Sequence, residues 1–463
     1  MTEVATDEYS DSHFYKKAWT FGAPIALSHL MTSLLGVIDT KMVSGLGNIA
    51  VAAVGVSTNF AFLLIMISFG FLSGLSIFVA QYWGSKDIGN IHKVFIIALI
   101  IGTFISLFFF IAGFFFPEFI IGLYNNSGNE VNSVILNNYG VEYLRVASFS
   151  YFTMTITFVI AMIMRSVERV IYPQAVAIFT VLLNTLLNYT LIKGNFGFEA
   201  YGVKGAAIAT LISSGIGTVL LILYLIKSKE EVFKIKFNVY KNISYKFIKK
   251  ISEKALPVAI NEMMWGLGVS MYLIAFGFIS TDSITSVHIS NQIMGLFWVT
   301  NAGISSACAI MLGNKLGEGK LDLAKKWGIK FTKLSVVAGL IFGVILFVLS
   351  DYISMLYPNT STGVQENIST ILKVFSFYIP IKFSNALHIV GTLRAGGDTK
   401  FVLFAEIGPL WLIGVPLAFI LSIFSSLPLY LIIAIVNIEE IVKFFLVLTR
   451  FLQYKWVRNL TIE

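Results

Sequence analysis

About twelve apolar runs, each close to the roughly 20 residues that a helix needs to cross a hydrocarbon core, occupy most of this 463-residue chain. Lipid offers no water to backbone N–H and C=O groups, so only helices and closed barrels span it. A barrel would alternate apolar and polar residues over ten-residue segments, and continuous runs select helices instead. The expected spans are about 17–45, 50–82, 91–116, 135–164, 170–192, 203–227, 250–279, 285–313, 327–350, 368–393, 401–423 and 427–450. Composition agrees. Residues are 57% hydrophobic and 13% charged, against about a quarter charged in a soluble domain. Forty-one Phe and seven Trp suit a lipid solvent with aromatic residues near its interfaces.

Basic residues collect in alternate connections. Lys16 and Lys17 precede span 1, Lys86 and Lys93 follow span 2, and Arg165 and Arg169 follow span 4. A basic stretch from Lys227 to Lys250 joins spans 6 and 7. Lys315, Lys320, Lys325 and Lys326 follow span 8, Arg394 and Lys400 follow span 10, and Arg450, Lys455 and Arg458 follow the last. The other connections hold fewer, chiefly Lys41, Lys193 and Lys204. This bias marks the cytoplasmic side and puts both termini there, which requires an even number of spans. Twelve satisfies it.

The chain also repeats itself. GFLSGLSIFVAQYWGSKDIGNIHK from Gly70 aligns without a gap on GISSACAIMLGNKLGEGKLDLAKK from Gly303, an offset of 303 − 70 = 233. Gln81 falls on Asn314, Gly84 on Gly317, Lys93 on Lys326, and Pro24 on Pro257. Six spans per half return the chain to its starting side, so the repeats are parallel, about an axis along the membrane normal. The expected organisation is a tail at 1–16, an N-lobe at 17–227, a basic linker at 228–249, a C-lobe at 250–450 and a tail at 451–463. Internal repeats of this kind belong mainly to secondary transporters, whose sites lie where the repeats meet.

Several classes are excluded or disfavoured. The single cysteine, Cys308, allows neither an intrachain disulfide nor a thiolate metal cluster. His29, His288 and His388 lack HxxxH spacing, so no metal site is expected. The net charge of +8 is placed as a topology signal and not as a nucleic-acid surface. Met1 to His13 is polar and acidic, without the look of a cleavable signal peptide. No Gly-rich loop with GKS or GKT, and no nucleophile–base pair, asks for ATP or an enzymatic step.

The strings VIDTKMVSGLGNIAVAAVG, FVAQYWGSKD, MRSVERVIYP, NTLLNY with YGVKGAAIAT, LPVAINEMMW, MLGNKLGEGKLDLA and LRAGGDTK run in this order from Pro24 to about Trp456. Each is loose, but their order and spacing are specific. The chain resembles a bacterial multidrug and toxic compound extrusion (MATE) transporter. The resemblance implies an all-α integral membrane protein: twelve transmembrane helices in two six-helix lobes, a V around a central cleft. It implies a secondary antiporter in the bacterial inner membrane, working as a monomer, with no cofactor and no ATP. It would export amphipathic organic cations against inward Na⁺ or H⁺.

An ionisable group at mid-membrane costs about 2.5–3.5 kcal/mol on insertion scales, so it is paired, wet or functional. At 1.5 Å per residue, Glu262 lies roughly 18 Å along span 7 from Lys250, and Asp39 roughly 33 Å along span 1 from Lys17. The family's acids on its first and seventh helices match Asp39 and Glu262. Its polar pair on the fifth helix matches Asn184 and Asn188, and Thr210 is placed to add a hydroxyl. Asn188 stands where some members have aspartate. An amide exchanges no proton, but its oxygen suits a hard cation such as Na⁺. On span 10, where some relatives carry an acid, stand Lys382, Ser384, Asn385 and His388. Lys382 is expected to face the cleft and to pair part of the time with Glu262; Glu439 and Glu440 are the rival partners, with Lys443 one turn beyond Glu439. Glu406 is expected at the cytoplasmic interface. Cleft candidates are Lys382, Asn385, Asn291, Gln292, Met263, Trp265 and Trp298, the last three as a soft, polarizable wall for aromatic cations.

Two other readings remain at this point. One is a flippase for lipid-linked oligosaccharide or lipid within the same superfamily, which would want a more basic cleft. The other is a membrane protein without transport.

Overall fold

The computed structural model describes residues 10–123, 130–235, 237–358 and 360–462. Among the described residues there are helices and turns and no strand. The first half holds α1 (Asp11–Ser44), α2 (Asn48–Gly84), α3 (Ile88–Phe115), the short α4 (Pro117–Gly122), α5 (Glu130–Ala147), α6 (Ser150–Ser166), α7 (Ile171–Lys193) and α8 (Gly202–Lys227). The second holds α9 (Tyr245–Gly277), α10 (Thr281–Gly317), α11 (Leu321–Met355), α12 (Thr362–Ala386), α13 (Thr399–Pro409), α14 (Val415–Phe424), α15 (Leu429–Val436) and α16 (Ile438–Leu452). Every expected span has helix at its place. Most run several residues longer, because a helix does not stop at the hydrocarbon edge but at a cap. Asp87 begins α3 by accepting from the Asn90 N–H at 3.0 Å, and Ser280 begins α10 by accepting from that of Ser283 at 3.0 Å. Gly194, at φ +74°, closes α7 in the left-handed conformation that glycine adopts without strain.

Among the described residues nine helices are long and apolar enough to cross a membrane, and the pair Ser133–Ala147 with Ser150–Ser166, bent by 46°, makes a tenth. The two remaining spans fail for visible reasons. The tenth carries Lys373 and Lys382 and continues from α12 through a wider π turn at Leu387–Leu393. The twelfth breaks at Asn437 into α15 and α16.

The chain divides into two compact units: a C-terminal unit of Met1–Ala26, Ala80–Lys86 and Lys249–Glu463, and an N-terminal unit of Leu27–Val79 and Asp87–Ile248. The division therefore does not follow the basic linker alone. In the C-terminal unit the repeat is written into packing. A Cβ on Gly84 would lie 2.0 Å from the Asn314 carbonyl oxygen, and one on Gly317 would lie 1.9 Å from that of Gln81. Because 314 − 81 and 317 − 84 both equal 233, these are one contact made twice. A Cβ on Gly313 would meet that of Ala80, its own counterpart, at 2.7 Å. Equivalent residues exchanging contacts about a self-contact is the signature of a two-fold relation.

Neither described terminal segment hangs free. Phe14 of α1 is fully buried against Trp327 and Phe331, at centroid distances of 5.9 and 4.9 Å. After α16, Trp456 is buried, stacked on Phe451 at 5.7 Å, and Gln81 accepts from the Leu460 N–H at 2.6 Å. A larger core of the unit joins Phe276, Ile293, Leu346, Ile368, Phe383 and Ile433. In the N-terminal unit, Val43, Ala50, Tyr143, Ile192, Val203 and Ala207 form a core from α1, α2, α5, α7 and α8. The linker packs within that unit too: Val232 and Phe233 are buried, and the Val232 carbonyl meets His92 Nε2 at 3.1 Å.

Candidate functional site

In the N-terminal unit the polar residues expected on different spans come together. Asn184 and Asn188 stand one turn apart on α7, so both point to the same side. Asn188 Nδ2 donates to Asp39 Oδ1 at 2.6 Å and to Asn184 Oδ1 at 2.9 Å. Asn184 Nδ2 reaches the Thr210 and Ser213 hydroxyls of α8, each at 3.3 Å. Thr210 gives its own proton to the Ala206 carbonyl, leaving oxygen lone pairs toward the amide. Small residues allow this: a Cβ on Gly205 would stand 2.5 Å from the Leu191 carbonyl, so α7 and α8 approach backbone to backbone.

One atom is left over. Asn188 Oδ1 is buried and has no hydrogen-bond partner among the described residues. Beside a half-buried carboxylate with no basic residue paired to it among the described residues, an unpaired amide oxygen is the arrangement that a small cation completes. Sequence reasoning missed Ser213, whose hydroxyl lies 3.3 Å from Asn184 Nδ2, and the buried Tyr143 of α5. Ser213 carried a signal, since it lies one turn from Thr210 on one face.

The C-terminal unit corrects an expectation. Glu262 does not pair with Lys382; its Oε1 accepts from Arg394 Nη2 at 2.6 Å, and both residues are buried. The physical reason is the π turn at Leu387–Leu393, which re-aims everything after it. Lys382 lies 5.3 Å from the Phe375 ring and within electrostatic reach of Glu439 and Glu440 on α16, the rival partners. Asn385 donates to the Glu440 carboxylate and carbonyl, each at 2.8 Å. Lys443 Nζ sits 2.7 Å from Glu439 and 3.6 Å from Glu440. Glu406, expected at the interface, is partly buried and accepts from Asn261 Nδ2 at 2.5 Å.

The other candidates are not gathered. Asn291 and Gln292 are exposed on α10, with Gln292 Nε2 3.0 Å from His288 Nε2. Met263 and Trp298 are exposed and Trp265 is half-buried; Trp298 packs edge-on against Phe383 at 6.0 Å. Among the described residues no three His, Cys, Asp or Glu side chains form a metal site.

The chain is similar to proteins of one family throughout. The MatE family profile matches residues 24–190 and 257–420, and its two stretches begin 257 − 24 = 233 residues apart, the internal offset. The probable multidrug resistance protein YoeA of Bacillus subtilis is 23% identical over 426 residues, covering 92% of this chain and 90% of that protein. A probable multidrug resistance protein NorM of Bacillus cereus is 23% identical over 407 residues, 87% of each. The outward-facing structure of a multidrug resistance MATE family transporter of the MOP superfamily superposes with a TM-score of 0.85 at 19% identity, over 98% of this chain and 99% of that one. A MOP superfamily transporter from Pyrococcus furiosus, whose reverse binding-pocket polarity suggests a different function for it, gives 0.84 at 19% identity, over 98% and 99%. The helices are those of the twelve-helix fold of these transporters, and with the profile covering more than half of its length the chain belongs to the MatE family.

Proposed function

We propose that this multi-pass membrane transporter is a secondary antiporter that exports amphipathic organic cations in exchange for inward Na⁺ or H⁺. The observation that carries the reading is the Asp39–Asn188–Asn184–Thr210 array with its unpaired Asn188 oxygen. Family membership and the names of the relatives support drug efflux; the array supports a cation as the driving ion. Asp39 holds the charge and the Asn and Thr oxygens complete a hard-donor shell, with no step that needs ATP or a catalytic group. Occupancy by Na⁺ or a proton favours one of two carrier states and cargo the other, and reciprocal bias of one equilibrium is what couples the flows. Glu262, held by Arg394, serves this reading as a fixed charge rather than as the ion's first ligand. The basic connections support both termini on the cytoplasmic side; a monomer in the bacterial inner membrane is the arrangement the family resemblance implies.

The flippase reading has one observation in its favour: Lys382, Arg394 and Lys443 lie inside the C-terminal unit, and the Pyrococcus furiosus neighbour has reverse pocket polarity. Each of those bases, however, faces carboxylates, which weighs against a pyrophosphate cargo. Accumulation of a fluorescent aromatic cation in cells expressing the chain tests the choice. Lower accumulation than in cells expressing Asp39→Asn supports cation export. Equal accumulation, with translocation of a labelled lipid pyrophosphate in vesicles, would replace it.

A further inference from the structure

The C-terminal unit contains a connected set of ionisable side chains that the Asp39 array does not use. Glu262 is paired with Arg394. Glu439 and Glu440 share Lys443 and lie within reach of Lys382. Glu406 on α13 is within electrostatic reach of Glu262 from α9, Arg394 from the end of the π turn and Lys443 from α16. Tyr272 of α9 also enters the set, its hydroxyl 3.4 Å from Glu439 Oε1. Four carboxylates face three bases. Arg394, Lys443 and Lys382 balance Glu262 and the Glu439–Glu440 pair, and Glu406 forms no ion pair among the described residues. An uncompensated negative charge inside a membrane protein is expensive and is not left bare.

A second observation falls at the same place. Asn261 is 1% exposed, and its amide nitrogen donates to Glu406 Oε2. Its Oδ1 has no hydrogen-bond partner among the described residues. A carboxylate with one charge too many thus lies beside a buried oxygen lacking a positive neighbour. Both deficits are met by the same thing, one unit of positive charge. We propose that Glu406, with the side-chain oxygen of Asn261, is a second monovalent-cation site, within the C-terminal unit. It takes either Na⁺, between carboxylate and amide oxygens, or a proton drawn from water onto the Glu406 carboxylate. The coupled-antiport reading decides only what this ion drives; its binding stands apart from that reading.

The test uses purified full-length protein in detergent on an Asp39→Asn background, which removes the array's charge. Equilibrium binding of ²²Na⁺ and proton uptake on acidification are measured with and without Glu406→Gln, with size-exclusion profiles checking the fold. If the ion is Na⁺, Asp39→Asn protein retains one saturable site that Glu406→Gln abolishes. If it is a proton, Asp39→Asn protein binds no ²²Na⁺ there and takes up one proton more than the double variant. Identical behaviour of the two proteins in both assays overturns the proposal. Should Glu406→Gln fail to fold, Asn261→Ala on the same background reads it: about tenfold weaker Na⁺ binding, or a displaced proton-uptake midpoint, is expected, and no change in either overturns it. Loss of ion-driven transport in Asp39→Asn judges the antiport reading separately.

Discussion

Arg394 shows how much one buried guanidinium carries. It is 2% exposed, ends the π turn, and holds Glu262 at 2.6 Å. Arg394→Ala leaves a buried carboxylate unpaired, which is expected to cost about 3–5 kcal/mol. A thermal unfolding scan in detergent checks it, with Glu262→Gln combined with Arg394→Gln expected to recover much of the loss. Asn188 offers a sharper contrast. Asn188→Asp places a second carboxylate against Asp39, and two like charges at that distance favour one shared proton. Uptake by this variant should respond more to a pH gradient and less to a Na⁺ gradient than the parent does. Unchanged ion preference would show that Asn188 does not face the ion. Asp39 was legible because an acid in an apolar run stands out, and Asn184 and Asn188 because the family resemblance assigns a polar pair to the fifth helix. Arg394 was not legible, because it reads as a cytoplasmic basic residue after span 10 until the π turn is known.

Between elements, backbone-to-backbone approach decides which glycines matter. Gly84 and Gly317 face each other's neighbouring carbonyls at distances no Cβ tolerates, whereas a Cβ on Gly55 meets nothing within 4 Å. Gly317→Ala should therefore remove most folded protein from a size-exclusion profile, and Gly55→Ala should leave it intact. Equal yields would mean that the packing about Ala80 and Gly313 does not hold the repeats' ends together. The helix positions themselves were readable from hydropathy. Their ends were not, since α1 begins at Asp11 among polar residues and buries Phe14. The break at Asn437 was hidden as well, because the apolar runs on either side of Asn437, Glu439 and Glu440 together have the length of one span.

For the whole molecule, the 233-residue offset read from Gly70 and Gly303 reappears in the profile's two matching stretches and in the packing of Gln81, Gly84, Asn314 and Gly317. Parallel six-span halves explain why a single ground plan serves twice. They do not make the halves chemically alike: Pro24 and Pro257 correspond, but His29 corresponds to Glu262 (262 − 29 = 233), and among the described residues the N-terminal array has no acid–base pair of the Glu262–Arg394 kind. Lys382, Glu439, Glu440 and Lys443 were legible as a charged group, whereas Glu406 beside Asn261 was not, because an acid so near the end of its span reads as interfacial. The central claim is that an ion held at Asp39 drives cargo. Purified protein in liposomes, given an imposed Na⁺ gradient or an imposed pH gradient, is followed for uptake of a fluorescent aromatic cation, parent against Asp39→Asn. One of the two gradients is expected to drive uptake by the parent, and neither to drive it in the variant. Uptake driven equally well in Asp39→Asn, or by neither gradient in folded parent protein, would contradict it.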